Sequence, residues 1–280
     1  MNTRYNPNGA SAVPITLNAP RPNERLRELS FSSPTLPAYV VDEPGILELE
    51  GPSVVVNPSC VSIPLHPAGL LDGLKPHGAR RFQAVGLNIT ETAVAVSLDR
   101  LQQPRAEALR PGWLALSDLP GMAGQEETKG VQLFRSPRDR VATISARPDQ
   151  LSPALPPERP LLWGVFMNLW FAPAGTECLI HNNHPFLEYH VQISGQGTMQ
   201  KFRNSDPSTL YEEQLLTPGM NHDVYSVRPA GDGTYHYPWH QYFANTDCIW
   251  LAVEMIPEGP APRPVSEEFE SSCCVFHAHS

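Results

Sequence analysis

The sequence predicts a mainly β protein, and two observations carry this prediction: its proline content and the spacing of its β-branched runs. Of 280 residues, 31 are prolines, about twice the share of an average protein. Proline lacks an amide hydrogen and fixes φ, so this density disfavours long helices. Short runs of Val, Ile and aromatic residues separated by Gly, Pro and Asn are instead typical of a sandwich or a barrel.

Charge and hydropathy exclude several classes of protein. The net charge is −9 and no cluster of Lys and Arg is present, which disfavours binding to nucleic acid. No apolar run approaches the roughly 18 residues of a membrane span, and residues 1–20 lack the apolar core of a signal peptide. Five cysteines without metal-ligand spacing are expected to be free thiols. We therefore expect a soluble, cytoplasmic protein with no membrane contact.

The chain divides by composition into four parts. Residues 1–38 are expected to form a proline-rich arm and residues 39–160 a β-rich region. Residues 161–256 form a second strand-rich block, and residues 257–280 a loose tail. Five prolines in residues 147–160 indicate a rigid connector between the two β-rich regions.

Individual elements follow from local patterns. Runs of β-branched and aromatic residues predict strands, at Ala38–Val41, Ser53–Val56, Phe82–Asn88, Thr92–Leu98 and Leu161–Phe171. A helix is expected within Leu98–Leu109, because Pro111 and Gly112 would end it. The first half of the chain is interpreted either as an independent β region or as a degenerate copy of the second half.

The histidines are concentrated in the second block. Six of the ten lie within 60 residues, and they are His181, His184, His190, His222, His236 and His240. Histidine is the commonest metal ligand and a general base near neutral pH. Taken singly each is more simply a surface or core residue, but the concentration favours a common site.

Strand geometry separates two faces within residues 187–193. Because successive side chains alternate, Glu188, His190 and Gln192 share one face, whereas the other face is made of Leu187, Tyr189, Val191 and Ile193. The polar face could point to solvent or into a cavity. Residues 235–242 show the same alternation: His236, His240 and Tyr242 share one face of a strand that Pro238 interrupts. A strand face that carries a glutamate and a histidine, close to further histidines, is unusual for an exposed surface, so we favour a cavity.

These residues resemble the cupin superfamily. The spacing Asn182-x-His184-x3-Glu188-x6-Gly195 is similar to the first cupin motif, and Pro218-Gly219-Met220-Asn221-His222 is similar to the second. The preceding Gly175 lies where the family has its leading glycine. The resemblance covers about residues 161–256 and implies a jelly-roll barrel. The fold class expected for the whole chain is mainly β, a cupin-like jelly-roll barrel with an N-terminal β-rich region that is an independent unit or a degenerate second cupin.

The sequence departs from the family pattern in two places. Asn182 replaces the first histidine of the usual pair, and the strand parity of the nearby His181 is wrong unless a bulge intervenes. The second motif is one residue shorter than usual, and Tyr237-Pro238-Trp239-His240 also resembles its end. His222 and His240 therefore compete for one ligand position, or both line the cavity.

The resemblance implies a metal centre. The expected ligands are His184, Glu188 and His222, with His190 and His240 as further ligands, and His190, His240 and Tyr242 as catalytic groups; Gln192 and Tyr189 are weaker candidates for substrate contacts. A mixed imidazole and carboxylate set suits Fe(II), and also Mn, Ni or Zn. The function expected from this set is that of a non-haem Fe(II) oxygenase, or dioxygenase, acting on a small organic molecule.

Two alternatives stay open at this point. One is a metal-assisted isomerase, lyase or hydrolase with the same fold. The other is a non-enzymatic cupin that binds a small ligand, which the replacement of a family histidine by Asn182 would favour. The family also implies pairing into a homodimer.

Overall fold

The computed structural model describes residues 15–16, 26–67, 73–222 and 224–258. The strands in this part of the chain are, in order, β1 (Ile15–Thr16), β2 (Leu26–Glu28), β3 (Ala38–Val41), β4 (Gly45–Leu49), β5 (Ser53–Val56), β6 (Leu65–His66), β7 (Ala79–Phe82), β8 (Val85–Ile89), β9 (Ala93–Ser97), β10 (Leu114–Ala115), β11 (Phe134–Arg135), β12 (Asp139–Ala146), β13 (Leu161–Ala172), β14 (Glu177–His184), β15 (Leu187–Ser194), β16 (Gly197–Phe202), β17 (Leu210–Leu216), β18 (Arg228–Pro229), β19 (Tyr235–Ala244) and β20 (Cys248–Glu258).

Helices are few and short in the described ranges. They are α1 (Pro104–Ala108) and α2 (Pro148–Leu151), with 3-10 turns at Leu116–Asp118, Glu126–Thr128 and Pro207–Thr209. Neither α-helix has the length or the apolar character needed to span a membrane. The prediction of a mainly β chain is confirmed. Most of the predicted arm (1–38) and of the predicted tail (257–280) lies outside the described residues.

The strands form four sheets, and these fall into two halves of the chain. In the N-terminal half, β2-β3-β9-β5-β7 form one sheet and β1-β4-β8-β6 the other. In the C-terminal half, β10-β11-β13-β20-β15 form one sheet, with β12 also paired to β13, and β14-β19-β16-β17 form the other, with β18 paired to β19. Apart from the parallel pair β1 and β4, all of these pairings are antiparallel.

The two halves share a strand order. β3-β9-β5 corresponds to β13-β20-β15, and β4-β8-β6 corresponds to β14-β19-β16. Where β7 pairs with β5 in the first half, Asn221 bridges to Val191 of β15 in the second. Two facing antiparallel sheets of this order are a cupin-like jelly roll. The interpretation of the first half as a degenerate second copy remains a proposal, which this correspondence supports.

Two details differ from the sequence-based expectations. The single strand expected at Phe82–Asn88 is wrong: β7 ends at Phe82 and β8 begins at Val85, because β7 pairs with β5 in one sheet and β8 with β4 in the other. The boundary between the two halves lies between β9 and β10, because β10, β11 and β12 belong to the same sheet as β13. The proline-rich residues 147–160 therefore link β12 to its neighbour β13.

Strand β15 is buried on both faces. The alternate residues Leu187, Tyr189, Val191 and Ile193 belong to a large apolar cluster that also contains Val40, Val54 and Val94 of the N-terminal half. The opposite face carries Glu188, His190 and Gln192, which are buried too. The two-faced pattern predicted from sequence is therefore present, but the apolar face packs within the core shared by the two halves.

Two glycines of the motifs fit tight positions. Gly195 is the first residue after β15 and has φ +71°, and a Cβ there would lie 2.2 Å from the carbonyl oxygen of Asp247. Gly219 has φ +90°, and a Cβ there would lie 2.2 Å from the amide nitrogen of Arg81 in the N-terminal half. The second glycine thus permits close contact between the halves just before His222.

Candidate metal centre

Three imidazoles and one carboxylate converge inside the C-terminal half. We call His181, His184, Glu188 and His240 the His–Glu cluster; one potential ligand atom from each lies within 4.8 Å of all the others. His184 is central: its Nε2 lies 2.9 Å from His181 Nε2, 3.0 Å from Glu188 Oε1 and 3.5 Å from His240 Nε2. Within the described ranges this is the one group of at least three His, Cys, Asp or Glu side chains with such spacing.

Three strands from both sheets supply the cluster. β14 carries His181 and His184, β15 carries Glu188, and β19 carries His240. A strand in regular register would place residues three apart on opposite faces. The pairing of β14 with β19 is irregular on both sides of His181, and such an irregularity re-aims side chains. It therefore brings His181 and His184 to the same face and places His181 opposite His240.

The backbone fixes the orientation of two of the rings. His181 Nδ1 lies 2.8 Å from the carbonyl oxygen of Leu179, and His240 Nδ1 lies 2.8 Å from that of Pro238. Because a carbonyl only accepts hydrogen bonds, each Nδ1 must carry the proton. In the neutral rings each Nε2 therefore presents a lone pair to the cluster. A hydrogen bond from Nδ1 to a backbone carbonyl is also common for metal-ligating histidines.

The residues present fit a divalent metal ion. Converging imidazole lone pairs and an ionised carboxylate repel one another in a buried site unless a cation or protons lie between them. Burial, followed by the effect of His184, lowers the pKa of His181 to about 3. Burial also lowers the pKa of His240 well below its ordinary value, with His181 and His184 contributing. Both rings are thus neutral near pH 7, which is the form that binds metal.

Glu188 supplies the negative charge of the cluster. Burial by itself would raise the pKa of this carboxyl, but the His184 and His190 imidazoles outweigh it and hold the pKa well below the usual range. Its Oε2 lies 3.5 Å from His190 Nε2. The Tyr237 hydroxyl accepts a hydrogen bond from the Glu188 amide at 3.0 Å and donates one to the Phe186 carbonyl at 2.8 Å. The carboxylate is therefore ionised and its backbone is held in place.

The cluster opens onto a cavity with largely apolar walls. Trp170, Trp250, Met199 and Phe186 line it, and Leu116 and Leu133 from the segment between β10 and β11 complete it. Glu254 is a second carboxylate in the wall, outside the cluster. A small apolar-walled cavity with a few convergent polar groups is the usual form of a binding site for a small molecule.

The structure places the predicted ligands as follows. His184, Glu188 and His240 lie in the cluster, and His190 lies beside it against Glu188. His222 is buried but is not brought into the cluster: its Nε2 accepts a hydrogen bond from the backbone amide of His190 at 3.0 Å. Of the two histidines that competed for one ligand position in the sequence analysis, His240 lies in the cluster and His222 does not.

The two tyrosines that the sequence analysis proposed for the site lie in different surroundings. Tyr242 lines the cavity, stacks on Trp250 at 4.1 Å between ring centroids, and donates a hydrogen bond to Gln192 Oε1. Burial raises the pKa of its hydroxyl well above the ordinary value, so the phenol is neutral. Tyr189 is fully buried on the apolar face of β15, away from Glu188 and His190. Its expected contact with substrate does not agree with this placement.

The sequence analysis did not include His181 among the expected ligands, because a regular strand would place it on the face opposite His184. The signal that would have retained it is the spacing His181-x2-His184 itself, which suits a common face only on a strand with a bulge. Two histidines at this spacing before Glu188 would have indicated that bulge.

Comparisons with known proteins concern the fold. No protein-family model and no curated protein matches the sequence. Among solved structures, the chain matches a sugar phosphate isomerase of the cupin superfamily from Silicibacter pomeroyi with 21% identity and a TM-score of 0.23, over 33% of this chain and 49% of that one. It also matches KdgF from Halomonas sp., with 14% identity and a TM-score of 0.25, over 44% of this chain and 79% of that one.

A third similar structure is YcfD, a ribosomal oxygenase from Escherichia coli in complex with cobalt and succinic acid. It has 17% identity and a TM-score of 0.24, and the match covers 35% of this chain and 24% of that one. The chain thus spans about half the length of the isomerase and a quarter of that of YcfD. By its strand order, the chain has a cupin-like jelly-roll fold.

Proposed function

We propose that the protein is a metal-dependent enzyme, a non-haem Fe(II) oxygenase that acts on a small organic molecule. The observation that carries this proposal is the His–Glu cluster at the wall of an apolar cavity. Imidazole nitrogens with one carboxylate suit Fe(II), with Mn, Ni and Zn as related choices. Bound iron would supply the activation of dioxygen and substrate together.

The side chains have separate parts in this proposal. His181, His184, Glu188 and His240 would hold the metal. His190 lies 3.5 Å from Glu188 Oε2 and would orient that carboxylate. Tyr242 and Trp250 form a stacked wall that excludes water and positions an apolar part of the substrate.

Metal content tests the proposal directly. His184→Ala and His240→Ala each remove one ligand atom from the cluster, so we expect the affinity for Fe(II) to fall by more than the roughly 10- to 100-fold that follows loss of a residue supporting a ligand. The measurement is metal content and titration of the anaerobically purified protein. His236→Ala is the matched control, because His236 lies on the same strand β19 but is exposed, and its metal content should equal that of the wild type.

Two results would contradict the proposal at different levels. Wild-type protein without stoichiometric affinity for any of the four metals would exclude a metal enzyme. Metal-bound protein that turns over a substrate without consuming oxygen, followed with an oxygen electrode, would exclude the oxygenase and favour metal-assisted isomerase or lyase chemistry.

A further inference from the structure

Glu254 is a buried carboxylate of the cavity that the His–Glu cluster does not use. It lies on β20 directly between Glu188 of β15 and Phe166 of β13 in the strand register. Its residue exposure is 2%, and it lines the same cavity as the cluster. The cavity therefore contains two carboxylates on neighbouring strands, and only one of them belongs to the candidate metal site.

Two side chains contact the carboxylate of Glu254. Asn168 Nδ2 donates a hydrogen bond to Oε1 at 2.7 Å. Arg138 Nη2 lies 2.8 Å from Oε2, and the guanidinium lies over the Phe166 ring at 4.3 Å from its centroid. A buried carboxylate with such a charge partner can remain ionised in an apolar wall.

Two buried oxygen atoms of this group make no hydrogen bond in the described part of the chain. Glu254 Oε2 is in ion-pair contact with Arg138 but makes no hydrogen bond within the described ranges. The buried Asn168 Oδ1 also makes no hydrogen bond there. A carboxylate oxygen has two lone pairs and can accept a further hydrogen bond beside its ion-pair partner, and buried acceptors in native proteins are usually satisfied. A ligand that brings a hydroxyl or amino group into the cavity would satisfy Oε2.

We propose that Glu254 is the substrate-positioning carboxylate of the cavity: it accepts a hydrogen bond from a hydroxyl or amino group on a small substrate whose other end reaches the metal. The inference rests on the proposed function, and it adds the chemical class of the substrate. That class is a short molecule with a metal-binding group at one end and a hydrogen-bond donor at the other.

Matched pairs of short acids test this in the full-length protein loaded with Co(II). The probes are propionate against 3-hydroxypropionate and β-alanine, and butyrate against 4-hydroxybutyrate and 4-aminobutyrate, titrated calorimetrically and by the cobalt spectrum. In acids of this length the donor is not adjacent to the carboxylate, which limits chelation of the metal by the donor itself. We expect at least one donor-bearing acid to bind tenfold or more tightly than its parent acid, consistent with a hydrogen bond to a charged group.

The variants assign that preference to one carboxylate. Glu254→Gln should reduce the preference to less than threefold with cobalt content unchanged, because the amide is neutral and a weaker acceptor. Glu258→Gln is the matched control: Glu258 lies on the same strand and pairs with Arg140 at 2.7 Å, but it does not line the cavity. Its preference should equal that of the wild type.

Removal of one charge from a buried pair can unfold a protein. If Glu254→Gln does not fold, Arg138→Met with Glu254→Gln removes both charges and should give folded, cobalt-binding protein without the preference. Wild-type protein that binds cobalt but shows no donor preference, or a preference unchanged in these variants, overturns this inference and leaves a structural ion pair. Wild-type protein that binds no cobalt contradicts both this inference and the proposed function.

Discussion

The two halves of the molecule share a strand order but enclose different interiors. In the N-terminal half the space between the sheets is filled by Leu47, Val55, Leu87 and Ala95, among others. In the C-terminal half the space between the corresponding strands contains His181, Glu188 and His240 beside a cavity. The strand order therefore does not decide whether the interior is apolar or carries a polar site.

Strand length accounts for part of this difference. β5 and β9 have four and five residues, whereas the corresponding β15 and β20 have eight and eleven. A strand of four residues places two side chains on its inner face, which suffices for apolar packing. The longer strands add rows of inward residues, and these rows supply the partners that buried histidines and carboxylates require.

The largest expected effect comes from placing a charge in the apolar interior. Leu87 is fully buried, and Leu87→Asp leaves a carboxylate without the partners that Glu188 has. We expect the free energy of unfolding to fall by more than about 4 kcal/mol, measured by urea denaturation. Leu87→Ala should cost roughly 2–5 kcal/mol by loss of packing alone. Asn88→Asp, on the exposed neighbour, should stay within about 0.5 kcal/mol of wild type, and a mild effect of Leu87→Asp would contradict the contrast between the halves.

Metal binding is expected to raise the free energy of unfolding by an intermediate amount, through the site in the C-terminal half alone. Ligand at a hundred times its dissociation constant stabilises the folded state by about 2.7 kcal/mol. Addition of Co(II) at that ratio should raise the free energy of unfolding of the wild type by this amount, and that of Leu87→Ala equally. His184→Ala should gain much less under the same conditions, because its dissociation constant for the metal is higher. An equal gain in His184→Ala would show that the stabilising metal binds elsewhere.

The smallest effect is a dependence on pH in the metal-free protein. The folded-state pKa of His181, about 3, is below the ordinary value of 6.5 because the ring is buried beside His184. The unfolded chain takes up a proton below about pH 6.5 and the folded chain does not, so stability decreases as pH falls from there towards 3. The slope is at most about 1.4 kcal/mol per pH unit for this histidine.

The variant His181→Gln isolates that contribution. His77 of the N-terminal half acts in the same direction, since burial lowers its pKa to about 4, so the wild type alone does not separate the two halves. Urea midpoints at pH 7 and pH 5 should differ less in His181→Gln than in wild type. An equal difference in both proteins would mean that His181 does not titrate in this way.

Local pattern was sufficient for much of the architecture. The strands Ala38–Val41 and Ser53–Val56 were predicted with the bounds that the structure has, and α1 lies within the predicted helix range. The alternation in residues 187–193 identified the inward face of β15. These features could be read because side-chain alternation and the effect of proline and glycine are properties of a few consecutive residues.

Features set by pairing between distant strands could not be read in this way. The bulge at His181 arises where β14 pairs with β19, about sixty residues later, and it reverses the parity on which His181 was set aside. His222 carries a motif-like spacing, but the edge of β15 offers its ring nitrogen a backbone amide. The choice between His222 and His240 therefore depended on contacts outside either motif.

The sequence by itself determined the fold class and the location of the histidine-rich block, because these follow from local periodicity and motif spacing. Of the five ligands that the family resemblance implied, three lie in the His–Glu cluster. Only the tertiary structure decided the fourth member, the exclusion of His222 and the grouping of Glu254 with Arg138 and Asn168. The physical reason is that each of these depends on the register between strands far apart in the chain, where a shift of one residue moves a side chain from the cavity to the opposite face.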